Sequence, residues 1–222
     1  RWYGSFWQEL SSSQKEEVFF VPTIVDRTLN SFFNILKEIR TSSRNYILKE
    51  DFLSLSDVFA AYMHKFRVKN IKIGESRFAG LETTDLIYEC LLSNRDVYST
   101  LESLLTYSFL RNLSKEFLTV RLSIDWFEGH SLDKMWNLGM HDFFPNTKRI
   151  AYETFRSFPY YLSVFPTSSE RSSNTIPKTF AVQGSSCGES LKEFLPDIEV
   201  ITVPAFKNQY LWSNKNEIIY RY

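Results

Sequence analysis

The sequence holds few of the residues that form covalent cross-links or metal sites. Among 222 residues there are two cysteines, Cys90 and Cys187, far apart and without CxxC or Cys/His spacing. This scarcity argues against a disulfide framework and against a structural zinc site. It predicts two reduced thiols, as in a cytosolic protein, and no bound metal.

Net charge and long apolar runs are absent as well. The 26 Lys and Arg are balanced by 26 Asp and Glu, whereas a dedicated nucleic-acid-binding protein would show a basic excess. No run approaches the ~18 apolar residues that span a bilayer, and the start is not a signal peptide. We expect a cytoplasmic protein that does not bind nucleic acid, with peripheral association at the inner face of the cytoplasmic membrane left open. Because the chain starts at Arg1 and not at Met, we expect it to be part of a longer protein.

Aromatic residues are abundant by contrast. Twenty Phe, twelve Tyr and five Trp make up 17% of the chain, within a hydrophobic fraction of 43%. Aromatic side chains bury large areas and also form binding surfaces. The composition therefore predicts a globular protein with a sizeable core and rings left over for a cleft.

Apolar periodicity predicts alternating strands and helices. Helical spacing of apolar residues occurs in 28–41, 83–94, the leucine-rich 96–117 and 131–144. It also occurs in a stretch that has Leu55, Val58, Phe59 and Tyr62 on one face. Ser131 is the expected N-cap of the helix over 131–144. Core packing is the preferred interpretation of the leucine-rich helix. Short apolar runs predict strands at 18–26, 68–73, 118–125, 147–153, 178–184, 198–206 and 217–222. Such alternation is typical of an α/β fold with a parallel sheet flanked by helices.

A change of texture near residue 158 predicts a domain boundary. The stretch FPYYLSVFPTSSERSSNTIP is rich in proline and serine and has no regular apolar period. We therefore predict an α/β domain over 1–160 and, over 161–222, a connector and the start of a second α/β domain.

The strongest candidate site follows the strand of 118–125. Asp125, Glu128 and His130 stand beside Trp126 and Phe127, where the sequence DWFEGH leaves the strand. In open α/β sheets, ligands bind outside the carboxyl ends of the strands. A carboxylate there can act as base or nucleophile, with a neighbouring imidazole to tune it. A purely structural interpretation, in which Glu128 caps the next helix and His130 packs, stays equally open.

A second candidate is the turn Gly184-Ser185-Ser186, between a strand and a helix. Backbone N–H groups and hydroxyls at a helix N-terminus can bind an anion. The turn lacks the GxGxxG and GKS/T patterns, so a plain tight turn is the preferred interpretation. Glu170, in TSSE, either belongs to a capping arrangement or contacts a ligand, and the cap is preferred.

Several longer stretches resemble a known family. IDWFEGHSLDKMWNLGMHDFFPNTKRIAYETF, YLSVFPTSSE, IPKTFAVQGSS, VPAFKNQYLW and the opening RWYGSFWQELSS are similar to bacterial surface carbohydrate biosynthesis proteins. These look like GT-B glycosyltransferases of O-antigen or capsule assembly, in which two Rossmann-like domains enclose a cleft.

The resemblance implies a metal-independent glycosyltransferase. Glu128 and His130 match the family's Glu and Gln/His positions, with Glu128 as base or nucleophile, His130 orienting or protonating, and Asp125 supporting from the strand end. The turn 184–186 matches the first strand-to-helix turn of the donor domain. The donor would be a nucleotide-sugar, and a remote similarity to Kdo- and sialic-acid-type transferases suggests a CMP-sugar. The acceptor would be a glycan or a lipid-linked glycan.

One alternative is a non-catalytic α/β domain that binds carbohydrate or a partner within a larger assembly. An α/β hydrolase is disfavoured, because the chain has no GxSxG nucleophile elbow.

Overall fold

The fold is α/β, with a four-stranded parallel sheet flanked by helices. A computed structural model describes residues 6–24, 28–93, 97–116, 118–153 and 164–206. The helices are α1 Phe6–Glu9, α2 Ser12–Glu17, α3 Leu29–Thr41, α4 Leu55–Tyr62, α5 His64–Val68, α6 Thr84–Ser93, α7 Val97–Leu113, α8 Ser131–Phe143, α9 Ser168–Ser172 and α10 Ser185–Phe194. The strands are β1 Phe19–Phe20, β2 Asn45–Tyr46, β3 Arg77–Phe78, β4 Leu81–Glu82, β5 Leu122–Trp126, β6 Lys148–Glu153, β7 Thr179–Val182 and β8 Glu199–Thr202.

The main sheet runs β5-β6-β7-β8 in chain order, all parallel. Its register places Trp126 beside Tyr152 and Tyr152 beside Ala181. The carboxyl ends of all four strands therefore lie along one edge. β1 and β2 form a separate parallel pair, and β3 and β4 form an antiparallel hairpin.

Helices α8 and α10 cover one face of this sheet. Trp136 on α8 donates its indole N–H to the Ser123 hydroxyl at 3.0 Å, and α10 packs on Val182 and Val200. Phe127, Phe180, Val182, Leu191 and Ile198 belong to the core at this face.

A second core lies between α7 and α8, around Phe109, Leu110, Leu113 and Met140. The preferred interpretation of the leucine-rich helix, packing in a core, is confirmed.

Three local predictions are corrected by the structure. The prediction of a strand over 68–73 was wrong, because Val68 ends α5 and residues 71–76 have no regular structure. The strand over 18–26 is limited to Phe19–Phe20; Pro22, two residues later, has no N–H for a ladder, and residues 25–26 lie outside the described residues. The N-cap of α8 is His130, one residue before the predicted Ser131.

The predicted domain boundary at 160 falls between β6 and β7, in a stretch outside the described residues. Strands on both sides of it pair within one sheet. The division into domains 1–160 and 161–222 stays a prediction, and any such division has to accommodate the sheet that both parts share. The predicted strand at 217–222 also lies outside the described residues.

Close packing of α10 on the sheet depends on Gly188. A Cβ added there would lie 2.6 Å from Val200 Cγ1, and a β-branched side chain on a strand has little freedom to move away. We expect Gly188→Ala to lower the free energy of unfolding by about 1–2 kcal/mol, since overpacking outweighs the gain in helix propensity. Urea unfolding measures the change.

The control repeats the Gly188→Ala substitution in a Val200→Ala variant, which lacks the atom that the new methyl group would meet. Gly188→Ala should cost little or nothing in that background, and Gly74→Ala, with open space around it, should cost little in the wild type. Equal destabilisation of both backgrounds would contradict the packing account.

Candidate active site at the end of β5

The site is built on a turn that leads from β5 into α8. Gly129 lies in this turn with φ at +76°, a conformation that glycine adopts without strain. Asp133, in the first turn of α8, accepts the backbone N–H of Glu128 at 2.9 Å and that of His130 at 3.0 Å, both at Oδ2. One buried carboxylate thus fixes both ends of the Gly129 turn.

The turn holds Glu128 and His130 side by side. Glu128 Oε2 lies 3.2 Å from His130 Nε2. Its other oxygen accepts the Trp126 indole N–H at 2.7 Å. The Glu128 side chain is 32% exposed and that of His130 is 55% exposed. Both oxygens of the carboxylate are thus oriented while the pair stays open to solvent, a geometry that suits a general base or an acceptor of hydrogen bonds from a ligand.

Asp125 lies in β5, one residue before the strand ends at Trp126. Its carboxylate lies on the helix-covered face of β5 and accepts the Asn137 side-chain N–H at 3.1 Å. Asn137 also donates to the backbone carbonyl of Asp133 at 2.9 Å. The structure therefore brings Glu128 and His130 together but gives Asp125 contact with α8, so that any support from Asp125 would pass through Asn137 and Asp133.

Burial dominates the electrostatics beneath the turn. It raises the pKa of Asp125 well above its ordinary value, with a further rise from the charge of Asp133 and an opposing effect of the Asn137 hydrogen bond. Burial also raises the pKa of Asp133, although the N–H groups of Glu128 and His130 lower it. Two acidic groups are therefore held close together where ionisation is costly.

Aromatic and amide groups continue along the same edge. The Trp126 and Tyr152 rings meet edge to face, with centroids 6.1 Å apart. The Tyr152 hydroxyl accepts the Gln183 side-chain N–H at 3.3 Å and donates to the Pro204 carbonyl at 3.2 Å. This series connects the end of β5 with the ends of β6, β7 and β8.

The predicted turn 184–186 lies at the end of β7. Gly184 is the N-cap of α10 in an extended conformation (φ 167°), which any residue can adopt. Ser185 and Ser186 are exposed in the first turn of that ten-residue helix. The register separates this turn from the Glu128 turn by two strand spacings, roughly 10 Å.

Glu170 takes part in a cap and an ion pair. Its Oε2 accepts the backbone N–H and the hydroxyl of Thr167, each at 2.8 Å, and its Oε1 lies 2.6 Å from Lys134 Nζ. The capping interpretation is confirmed, and binding of a donor by Glu170 stays a prediction.

Sequence reasoning missed four groups of this edge: Asp133, Asn137, Tyr152 and Gln183. Asp133 carried a signal, because an acid three residues after the N-cap is the spacing of a capping box. The choice of Ser131 as N-cap shifted that spacing onto Lys134. Tyr152 and Gln183 are brought to the site by strand order, which no local pattern encodes.

Comparison with known proteins gave no match. No family model matches the chain, and neither a curated protein nor a solved structure is similar enough to count as a match. Among the described residues, no group of three or more His, Cys, Asp or Glu side chains is placed to hold a metal ion.

The raised pKa of Asp125 predicts a specific pH dependence of stability. The folded state keeps the proton to higher pH than the unfolded chain, so folding takes up a proton between the two pKa values. The free energy of unfolding contributed by Asp125 therefore falls as pH rises from about 4 through the folded pKa. Asp125→Asn keeps an oxygen for Asn137 and abolishes this loss. We expect the variant to gain stability over the wild type as pH rises, with no such gain at about pH 3.

Urea unfolding at a series of pH values measures the difference. Asp51→Asn, at an exposed carboxyl, is the control and should follow the wild-type profile. Parallel profiles for Asp125→Asn and the wild type would refute the assignment of a buried, proton-retaining carboxyl.

Proposed function

We propose that the protein is a glycosyltransferase or glycosyltransferase-like protein of bacterial surface polysaccharide synthesis, of metal-independent GT-B type. It would move a sugar from a nucleotide-sugar, in particular a CMP-sugar, to a glycan or lipid-linked glycan. The observation that carries the proposal is the Glu128 carboxylate, oriented by Trp126 and His130 at the carboxyl edge of a parallel sheet.

In the proposed reaction, Glu128 removes the proton of an acceptor hydroxyl. The freed oxygen forms a bond to the anomeric carbon as the bond from that carbon to the phosphate oxygen breaks, and the nucleotide leaves with the bonding electrons. His130, 3.2 Å from Glu128, would keep the carboxylate oriented and take up part of the charge change. Asp125 would support the turn through Asn137.

The turn 184–186 is suited to the leaving phosphate. Helix α10 directs its N-terminal N–H groups there, and the Ser185 and Ser186 hydroxyls are exposed. The separation of roughly 10 Å from the Glu128 turn leaves room for a hydrogen bond from base to hydroxyl and a near-attack contact, each of about 3 Å, and then for the anomeric carbon with its phosphate. The Trp126 ring, partly exposed beside the Glu128 turn, offers an apolar face to a sugar, and the buried Tyr152 ring supports it edge to face.

Binding of carbohydrate without catalysis is the second candidate. It is favoured because Glu128 and His130 line neither of two open clefts in the described residues, one beside α6 and one beside α2. An open edge with oriented polar groups and aromatic rings suffices to hold a glycan, whereas a transferase also has to exclude water from the reacting atoms.

Nucleotide release from a panel of CMP-, UDP-, GDP- and dTDP-sugars, with surface glycan supplied as acceptor, tests the proposal. We expect release from one donor class. Glu128→Gln should reduce it on the order of a hundredfold or more, because the amide keeps the contact with Trp126 but accepts no proton. Glu193→Gln, at an exposed position of α10, is the matched control and should leave the rate unchanged.

The remaining outcomes separate the alternatives. Release that Glu128→Gln does not alter would remove Glu128 from the chemistry. Absence of release from every donor, together with glycan binding that Glu128→Gln weakens, would favour the binding domain over the transferase.

A further inference from the structure

The hairpin β3–β4 ends in an exposed apolar tip. Phe78 and Leu81, paired across the hairpin, are 77% and 71% exposed. Ala79 and Gly80 form the turn between them, both with positive φ. The turn thus holds two large apolar side chains in water. Moving their surface out of water would lower the free energy.

Helices α4 and α5 expose a second apolar surface. The helical spacing there normally marks a buried face, but the buried residues of α4 are Asp57 and Ala61 on the opposite side, and Asp57 pairs with Arg111 of α7 at 2.5 Å. On α4 the outward stripe repeats at intervals of four and three residues, which an ideal helix places within roughly 60° of one another, and a further apolar residue follows four residues later on α5. The stripe consists of Leu55, Phe59, Tyr62 and Phe66, each about half exposed or more.

Positive charge borders this stripe. Between residues 55 and 73 there are four Lys and Arg and one acidic residue, the buried Asp57; from 74 to 82, Arg77 pairs with Glu82, and Glu75 is exposed. None of the four makes a salt bridge within the described parts of the chain. Lys65 Nζ lies 3.6 Å from the Tyr62 ring centroid and 5.0 Å from that of Phe66. The four are Lys65, Arg67, Lys69 and Lys72.

The hairpin adjoins this basic segment through α6. Lys69 and Lys72 line one side of a cleft whose other side includes Thr84 and Asp85 at the start of α6. Ser76, just before the hairpin, donates its backbone N–H to the Thr84 hydroxyl at 2.8 Å. The tip and the cleft therefore adjoin at the start of α6, and the stripe ends at Phe66, three residues before the cleft residue Lys69.

We propose that residues 55–82 dock on a bilayer surface that contains anionic phospholipid. The tip and the stripe would enter the boundary between headgroups and acyl chains, and the four cations would face lipid phosphates. Lysine and arginine stems can lie along apolar surface while their charges reach the headgroups.

A second copy of the chain is the less suitable occupant. In a two-fold interface the same patch meets itself, so the uncompensated cations of one copy would face those of the other. The membrane inference does not depend on sugar transfer.

Sedimentation of the 222-residue chain with phosphatidylcholine vesicles, with and without about 30 mol% phosphatidylglycerol, tests the inference. We expect binding to the anionic vesicles that weakens as salt is added. Lys69→Gln/Lys72→Gln should weaken it on the order of 20-fold, and Phe78→Ser/Leu81→Ser by a similar factor. The expected result includes monomeric protein in analytical ultracentrifugation.

Matched controls exchange the same residue types elsewhere. Phe33→Ser removes an exposed phenylalanine of α3, and Lys148→Gln/Lys178→Gln removes two exposed lysines beside the main sheet; neither should change vesicle binding. The inference is overturned if anionic vesicles do not bind, or if both pairs of variants bind like the controls. A stable dimer that Phe59→Ser dissociates would also overturn it and assign the stripe to a second copy.

Discussion

The arrangement at the strand ends depends on the buried carboxylate of Asp133. Its Oδ2 accepts two backbone N–H groups, on either side of a glycine that turns with positive φ. Removing this carboxylate would leave two donors without partners, at a cost of about 1–3 kcal/mol each where they are shielded from water. The turn, the start of α8 and the relative position of Glu128 and His130 all follow from this contact.

The sheet gives the turn its neighbours. Because four parallel strands end at one edge, Tyr152 and Gln183 lie next to Trp126 although they are distant in sequence. The same face that packs on α8 and α10 carries the Asp125 carboxylate, which accepts a hydrogen bond from Asn137 of α8. The polar groups of the edge thus divide into a pair open to solvent and an acidic pair beneath it, whose ionisation burial opposes.

Local sequence was sufficient for the elements that carry their own periodicity. The strands of the main sheet and helices α3, α7 and α8 were predicted close to their observed bounds. The proximity of Glu128 and His130 follows from their two-residue spacing. Contacts that arise from tertiary structure could not be predicted. The spacing of Leu55, Phe59 and Tyr62 indicates a helix face, but which face packs is decided by Asp57, whose partner Arg111 is 54 residues away. Likewise the environment of the Asp125 carboxylate depends on Asn137 and the placement of α8.

Amide hydrogen exchange at Glu128 and His130 tests the role of Asp133 most directly. In the wild type, both amides should be protected, because each donates to the Asp133 carboxylate. Asp133→Ala should abolish the protection at these two positions while amides of β6 and β7 keep theirs. Fast exchange of both amides in the wild type, or protection that survives Asp133→Ala, would contradict the account of a carboxylate-braced turn.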